Sequence, residues 1–121
     1  MMKAERRRAP RVVERISVSL TDADSELRAE TQNLSVCGAY CLLDRFIAPM
    51  TKLQLRLELP SGERTVQIQC MGVVVRVEPV AANVERGRYH VAIFFTDLTD
   101  RDRSAISRFV LSRLSATPST R

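Results

Sequence analysis

Hydrophobic and polar residues alternate along most of this chain, and the alternation sets the fold expected of it. Over residues 51–59, Leu53, Leu55, Leu57 and Leu59 point one way and Gln54, Arg56 and Glu58 the other. A period of two over that length predicts a strand with one buried face. Residues 12–20 repeat the pattern in their second half, with Ile16, Val18 and Leu20 opposite Ser17 and Ser19, and predict the first strand. Turn chemistry follows in Thr21-Asp22-Ala23-Asp24-Ser25. Residues 27–34 read as a second strand, interrupted by the turn-favouring run Asn33-Leu34-Ser35-Val36-Cys37-Gly38, and residues 39–43 as a short apolar third. Pro60-Ser61-Gly62-Glu63 predicts a hairpin turn into a long strand over 65–77, where Gly72 marks a bulge or sharp bend. Residues 79–87 are expected to form a loop, and 89–95 the last strand.

The period then changes. Ile106, Phe109, Val110, Arg113 and Leu114 recur at helical spacing, Thr99 is a good N-cap, and Asp100 and Asp102 suit the positive end of a helix dipole. A helix is predicted over about 100–114. Six antiparallel strands joined by short turns must hide their edges, and closing into a barrel does so. The expected fold is therefore all-β: a six-stranded antiparallel β-barrel with a C-terminal α-helix, packed on the barrel or over one opening. Residues 1–11 read as a flexible basic arm, 12–114 as barrel plus helix, and 115–121 as a disordered tail.

Composition adds bounds. At 121 residues, 45% hydrophobic and 27% charged, the chain suits one folded domain that needs no disulfide or metal. No stretch approaches the length and apolarity of a membrane span, and no apolar run follows Met1-Met2-Lys3-Ala4-Glu5-Arg6-Arg7-Arg8, so no membrane insertion and a cytoplasmic location are expected. Three cysteines, Cys37, Cys41 and Cys70, do not suggest a disulfide framework. The net charge of +5 is local: residues 1–15 carry six basic and two acidic side chains, and the other 106 carry 13 and 12. A general nucleic-acid binder spreads its basic residues over a face of the fold, and it uses aromatics, which are only 5% here.

Catalytic and metal chemistry find little support. His90 is the only histidine and falls within a strand, so no Ser–His–Asp set can be built. Cys37 and Cys41 lack the paired spacing and partners of a zinc site, and there is no phosphate-binding glycine-rich loop. No enzyme activity, cofactor or metal is expected. Two features remain. Arg6-Arg7-Arg8-Ala9-Pro10-Arg11 offers planar, permanently charged forks that match phosphate oxygens and the O6/N7 edge of guanine, although a solvated basic tail would look the same. Asn33-Leu34-Ser35-Val36-Cys37-Gly38 offers an amide, a hydroxyl and a glycine that allows a positive φ or a close backbone approach, although a plain β-turn would suffice.

Together these runs resemble the PilZ family. Its members carry RxxxR just before the first strand and [D/N]xSxxG between the second and third. The matches here are Arg7-Arg8-Ala9-Pro10-Arg11 and Asn33 to Gly38, in the same order. Arg11 to Arg15 also fits RxxxR, but Arg15 falls inside the predicted first strand, which favours Arg7 and Arg11. The resemblance covers nearly the whole chain and implies a PilZ-like split barrel. It also implies a ligand, the bacterial second messenger cyclic di-GMP. Arg7 and Arg11 would grip guanine edges and phosphates, Asn33 a guanine edge and Ser35 a phosphate or base, while Gly38 lets the backbone close in. Asn33 in place of aspartate supplies one acceptor and a donor, which implies weaker binding. Arg6 stands where a basic residue in the family is associated with an intercalated ligand dimer, implying two ligands per site. Binding would reorder the arm and signal to a downstream partner protein. The alternatives are a small-barrel nucleic-acid binder and a PilZ-type interaction module that binds no ligand.

Overall fold

In the computed structural model, which describes residues 10–22, 25–80 and 88–116, the alternating segments close into a barrel. The elements are β1 (Ser17–Asp22), β2 (Ser25–Leu34), β3 (Gly38–Leu43), β4 (Lys52–Ser61), β5 (Arg64–Pro79), β6 (Tyr89–Phe95) and α1 (Asp100–Ala116). All neighbours are antiparallel, in the order β1-β2-β3-β6-β5-β4, and β4 closes back on β1. Closure leaves the sheet without an edge strand. The six-stranded barrel and terminal helix expected from the alternation are thus both present.

The predicted inward residues build the core. Val18 and Leu20 of β1, Leu53 to Leu59 at every second position of β4, Ile68 of β5 and Val91 and Ile93 of β6 are all buried. Each such side chain contributes about 1.5–3 kcal/mol relative to exposure. The β4–β5 hairpin turns through Gly62-Glu63 between the paired Ser61 and Arg64. Gly62 has a φ of 65°, which a tight two-residue turn asks of its first central position.

The first strand departs from expectation. Residues 12–16 do not belong to β1 but, together with Arg11, form a strap beside the end of β2. Val12 and Leu34 exchange two backbone hydrogen bonds of 3.0 Å each. The buried Thr31 fixes the rest: its Oγ1 accepts from the Ile16 N–H at 3.1 Å, and its hydroxyl donates to the Glu14 carbonyl at 2.7 Å. Glu14 lies on the same phase as Val12 and Ile16, half-buried, and its carboxylate accepts a hydrogen bond from Arg113 Nε of α1 at 3.1 Å.

Two bulges shift the alternation. In β2, Thr31 pairs with Cys41 but Asn33 pairs with Tyr40, so Gln32 is an extra residue. In β5, Val74 pairs with Ile93 but Arg76 with Ala92, so Val75 is extra. The bulge expected at Gly72 is therefore three residues further on. Gly72 instead allows close packing where β5 passes from β4 to β6: a Cβ there would lie 2.7 Å from both Ile93 Cγ2 and Leu55 Cδ1.

Helix α1 starts as predicted. The Asp102 N–H donates to Thr99 Oγ1 at 3.0 Å, and the Arg103 N–H donates to the Thr99 carbonyl at 2.8 Å. Ile106, Phe109 and Val110 are buried where the helix meets β4 and β5, and the Arg113 guanidinium lies 4.6 Å over the Phe109 ring. Leu114, assigned to the same face by its spacing, is exposed, and the helix runs two residues past its expected end. No helix of the described residues is long and apolar enough to cross a membrane.

Candidate functional site

Arg11, Asn33, Ser35 and Gly38 meet at one groove on the outer wall of the barrel, with a volume of about 460 Å³. That lies within the range of about 300–1,000 Å³ typical of small-molecule sites. Each arrives for a local reason. The Val12–Leu34 bridge holds the strap beside the end of β2 and so sets Arg11 at the rim, exposed. Asn33 would face inward if the alternation of Leu27, Ala29 and Thr31 continued. The bulge at Gln32 turns it outward and Leu34 inward. Arg6 and Arg7 lie outside the described residues.

Ser35 and Gly38 form the turn between β2 and β3. The Ser35 N–H donates to the Gly38 carbonyl at 3.0 Å, and Ser35 Oγ accepts from the Cys37 N–H at 3.1 Å. The serine hydroxyl keeps its own hydrogen to donate. The Cys37 carbonyl accepts from the Phe95 N–H at 2.9 Å, which ties the turn to the end of β6. Gly38 is needed for close approach, not for a positive φ. The strand it approaches is β6: an added Cβ would collide with the Ile93 carbonyl oxygen and lie 3.2 Å from Phe94 Cα. Here the glycine serves the frame of the site.

The groove also holds residues that sequence reasoning missed. Asn33, Tyr40, Ala92 and Arg76 form one outward row across β2, β3, β6 and β5. The bulge at Val75 creates its far end, because unbroken alternation from Gly72 and Val74 would turn Arg76 into the barrel. Arg76 lies 3.8 Å from Glu78, an exposed pair worth little in stability. The Tyr40 hydroxyl is 3.4 Å from Glu78 Oε1, and its ring lies 5.3 Å from His90. Phe94 and Val75 leave about half their surface exposed in the groove. Phe94 carried a signal: in β6, Val91, Ile93 and Phe95 face inward, so an aromatic at 94 must face solvent.

Arg15 does not share this groove. It lines a neighbouring one of about 570 Å³ with Arg28, Gln32 and Arg88. It also precedes β1 by two residues and, contrary to the alternation, does not fall inside the first strand.

The site contains cations, amide and hydroxyl groups and an exposed aromatic face, which suits an anionic ligand with flat rings. Among the described residues no cluster of His, Cys, Asp and Glu is placed to hold a metal. Cys41 and Cys70 are buried in the barrel, away from the groove, and their thiols are pushed up to about 12, by burial in both cases and for Cys70 also by the carboxylates of Asp97 and Asp102.

A sequence model described as PilZ domain matches residues 5–112. Among solved structures, the chain is similar to the inhibitor of motility MotI/DgrA of Bacillus subtilis, with 22% identity and a TM-score of 0.81 over 94% of this chain and 54% of that one. It is similar to the PilZ domain of YcgR from Escherichia coli with c-di-GMP, with 15% identity and a TM-score of 0.71 over 92% of this chain and 95% of that one. It is also similar to the MrkH–c-di-GMP complex of K. pneumonia, with 18% identity and a TM-score of 0.68 over 92% of this chain and 53% of that one. The chain thus spans about half the length of MotI/DgrA and MrkH. No match was found among curated proteins. At these identities the solved structures establish the fold, and the match over residues 5–112 goes further: the chain belongs to the PilZ domain family.

Proposed function

We propose that this chain is a non-enzymatic receptor for cyclic di-GMP that signals to a partner protein. One observation carries the reading. Arg11, Asn33, Ser35 and Gly38 come from separate stretches of sequence, and they line one groove. The c-di-GMP bound by the PilZ proteins YcgR and MrkH supports the choice of ligand.

Arg11 meets a phosphate or a guanine edge from one rim and Arg76 meets the ligand from the other. The exposed ring of Phe94 offers a flat surface to a base between them. The Asn33 amide pairs with a guanine edge and the Ser35 hydroxyl donates to a phosphate or base. Each charge-assisted contact contributes about 1.5–3 kcal/mol. Arg7, four residues before Arg11, closes on the ligand as the arm is drawn across the groove, and Arg6 favours a second ligand molecule. The strap transmits this change, because Arg11 stands at its start and Glu14 meets the helix.

Isothermal titration with cyclic di-GMP tests the reading, with cyclic di-AMP and GTP as controls. Saturable heat for cyclic di-GMP alone, lost in Arg7→Ala and Arg11→Ala with unchanged circular dichroism, is the expected result. No heat and no thermal shift at high ligand concentration would refute it. Saturation at one ligand per chain would remove the role given to Arg6.

A further inference from the structure

A second groove, of about 570 Å³, borders the first. Arg15 from the strap, Arg28 from β2 and Arg88 just before β6 stand exposed around it, with Ser17 and Gln32 as further donors. Glu30 is the one carboxylate lining it among the described residues. Among the described residues none of the three arginines has an ion-pair partner, as holds for most of the described arginines, but these three share one opening. Beyond residue 15 the chain is almost charge-neutral, with 13 basic and 12 acidic side chains. Three guanidiniums around one opening, against one carboxylate, are therefore a local concentration of charge on an otherwise near-neutral chain. Such a patch attracts and orients an acidic partner, and arginine is enriched at the energetic centres of interfaces.

We infer that this groove is the docking surface for a partner protein, which places an acidic, partly apolar segment in it. Three features select a polypeptide. Glu30 would repel a continuous run of phosphates but can pair with a basic residue of a mixed segment. Leu42 gives the groove an apolar, half-buried floor. Among the described residues the lining has no aromatic ring on which bases could stack. The barrel also has, among the described residues, no free edge to which a partner could add a strand, so side chains on its wall must make the contact. Position links this groove to the first one, since Gln32 borders one and Asn33 the other, and Arg11 and Arg15 lie on the same strap. The inference rests on the receptor reading only in expecting a partner, and its test omits nucleotide, so failure of either reading is a separate result.

The probe is a short fluorescein-labelled peptide alternating glutamate with leucine, followed by fluorescence anisotropy at low ionic strength. Saturable binding is expected, weakened at least about tenfold by Arg28→Glu and by Arg88→Glu, which is a loss of about 1.4 kcal/mol. Arg28→Gln is expected to give a smaller loss, and Arg101→Glu on the exposed face of α1 none. Thermal melts matching the parent establish that the variants fold. Absence of peptide binding overturns the inference, as does an equal loss in Arg101→Glu. So does tighter binding, through Arg28 and Arg88, of a single-stranded oligothymidine or of phosphatidylglycerol vesicles.

Discussion

Gly38 and Arg11 border the same groove but do opposite kinds of work. A methyl group on Gly38 would collide with the Ile93 carbonyl, which belongs to the backbone of β6 and cannot swing aside. Gly38→Ala is therefore expected to lower stability by about 1–3 kcal/mol in urea unfolding. Arg11→Ala, exposed and outside every strand, should shift it by less than about 0.5 kcal/mol while removing nucleotide binding. This contrast separates the frame from the grip, which the motif alone does not do. The cysteines divide in a similar way. At pH 8, a thiol reagent should label Cys37, which is exposed, and reach Cys41 and Cys70 only on unfolding. Their pH dependence has a definite sign. Both buried thiols rise from 9.0 to about 12, so the unfolded chain loses its thiol protons first. Their contribution to stability is complete below pH 9 and is lost as pH rises from about 9 to about 12. Denaturation midpoints measured across that interval should fall.

Among the elements, the strap over residues 11–16 was the hardest to read and has the clearest consequences. Alternation in Ile16, Val18 and Leu20 made the first strand legible. Its start at Ser17 was not, because Val12 and Ile16 stay buried and Val13 and Arg15 exposed, as a continued strand would have them. The warning was Glu14, a charged residue at a position that alternation would bury. The same lesson holds at Gly72, where a glycine in a strand suggested a bulge. Arg76, four positions later and on the inward phase, was the better indicator. Charges on the wrong phase marked both irregularities. β4 and β6, which carry none, were readable from sequence to within two residues at each end. Thr31 is what fixes the strap. Thr31→Val keeps the shape but leaves the buried Ile16 N–H without its side-chain acceptor, at a cost of about 1–3 kcal/mol. Amide hydrogen exchange should then quicken at Val12 and Leu34 before it does in β4 and β5. Uniform protection across all four would show that the strap does not depend on this threonine.

For the molecule as a whole, strand number, barrel closure and the terminal helix followed from periodicity and from the need to hide edges. The order β1-β2-β3-β6-β5-β4 did not, because local patterning carries no information on which distant strands pair. The groove was half legible. Arg11 and the run from Asn33 to Gly38 belong to two short sequence motifs, but Tyr40, Arg76 and Phe94 join them only once β3, β6 and β5 lie side by side. The row from Asn33 to Arg76 is bounded at each end by a bulge, and this gives the site a dependence on chain length. Deleting Gln32 leaves every proposed ligand contact in the sequence, yet it should turn Asn33 into the barrel and Leu34 out to solvent. Deleting Val75 should do the same to Arg76 and Val77. Both variants are expected to lose cyclic di-GMP in titration as fully as Arg11→Ala does, and to melt earlier. The groove is thus specified by counting as well as by chemistry: it should withstand many substitutions along β2 and β5, and almost no insertion or deletion between Thr31 and Leu34 or between Val74 and Val77.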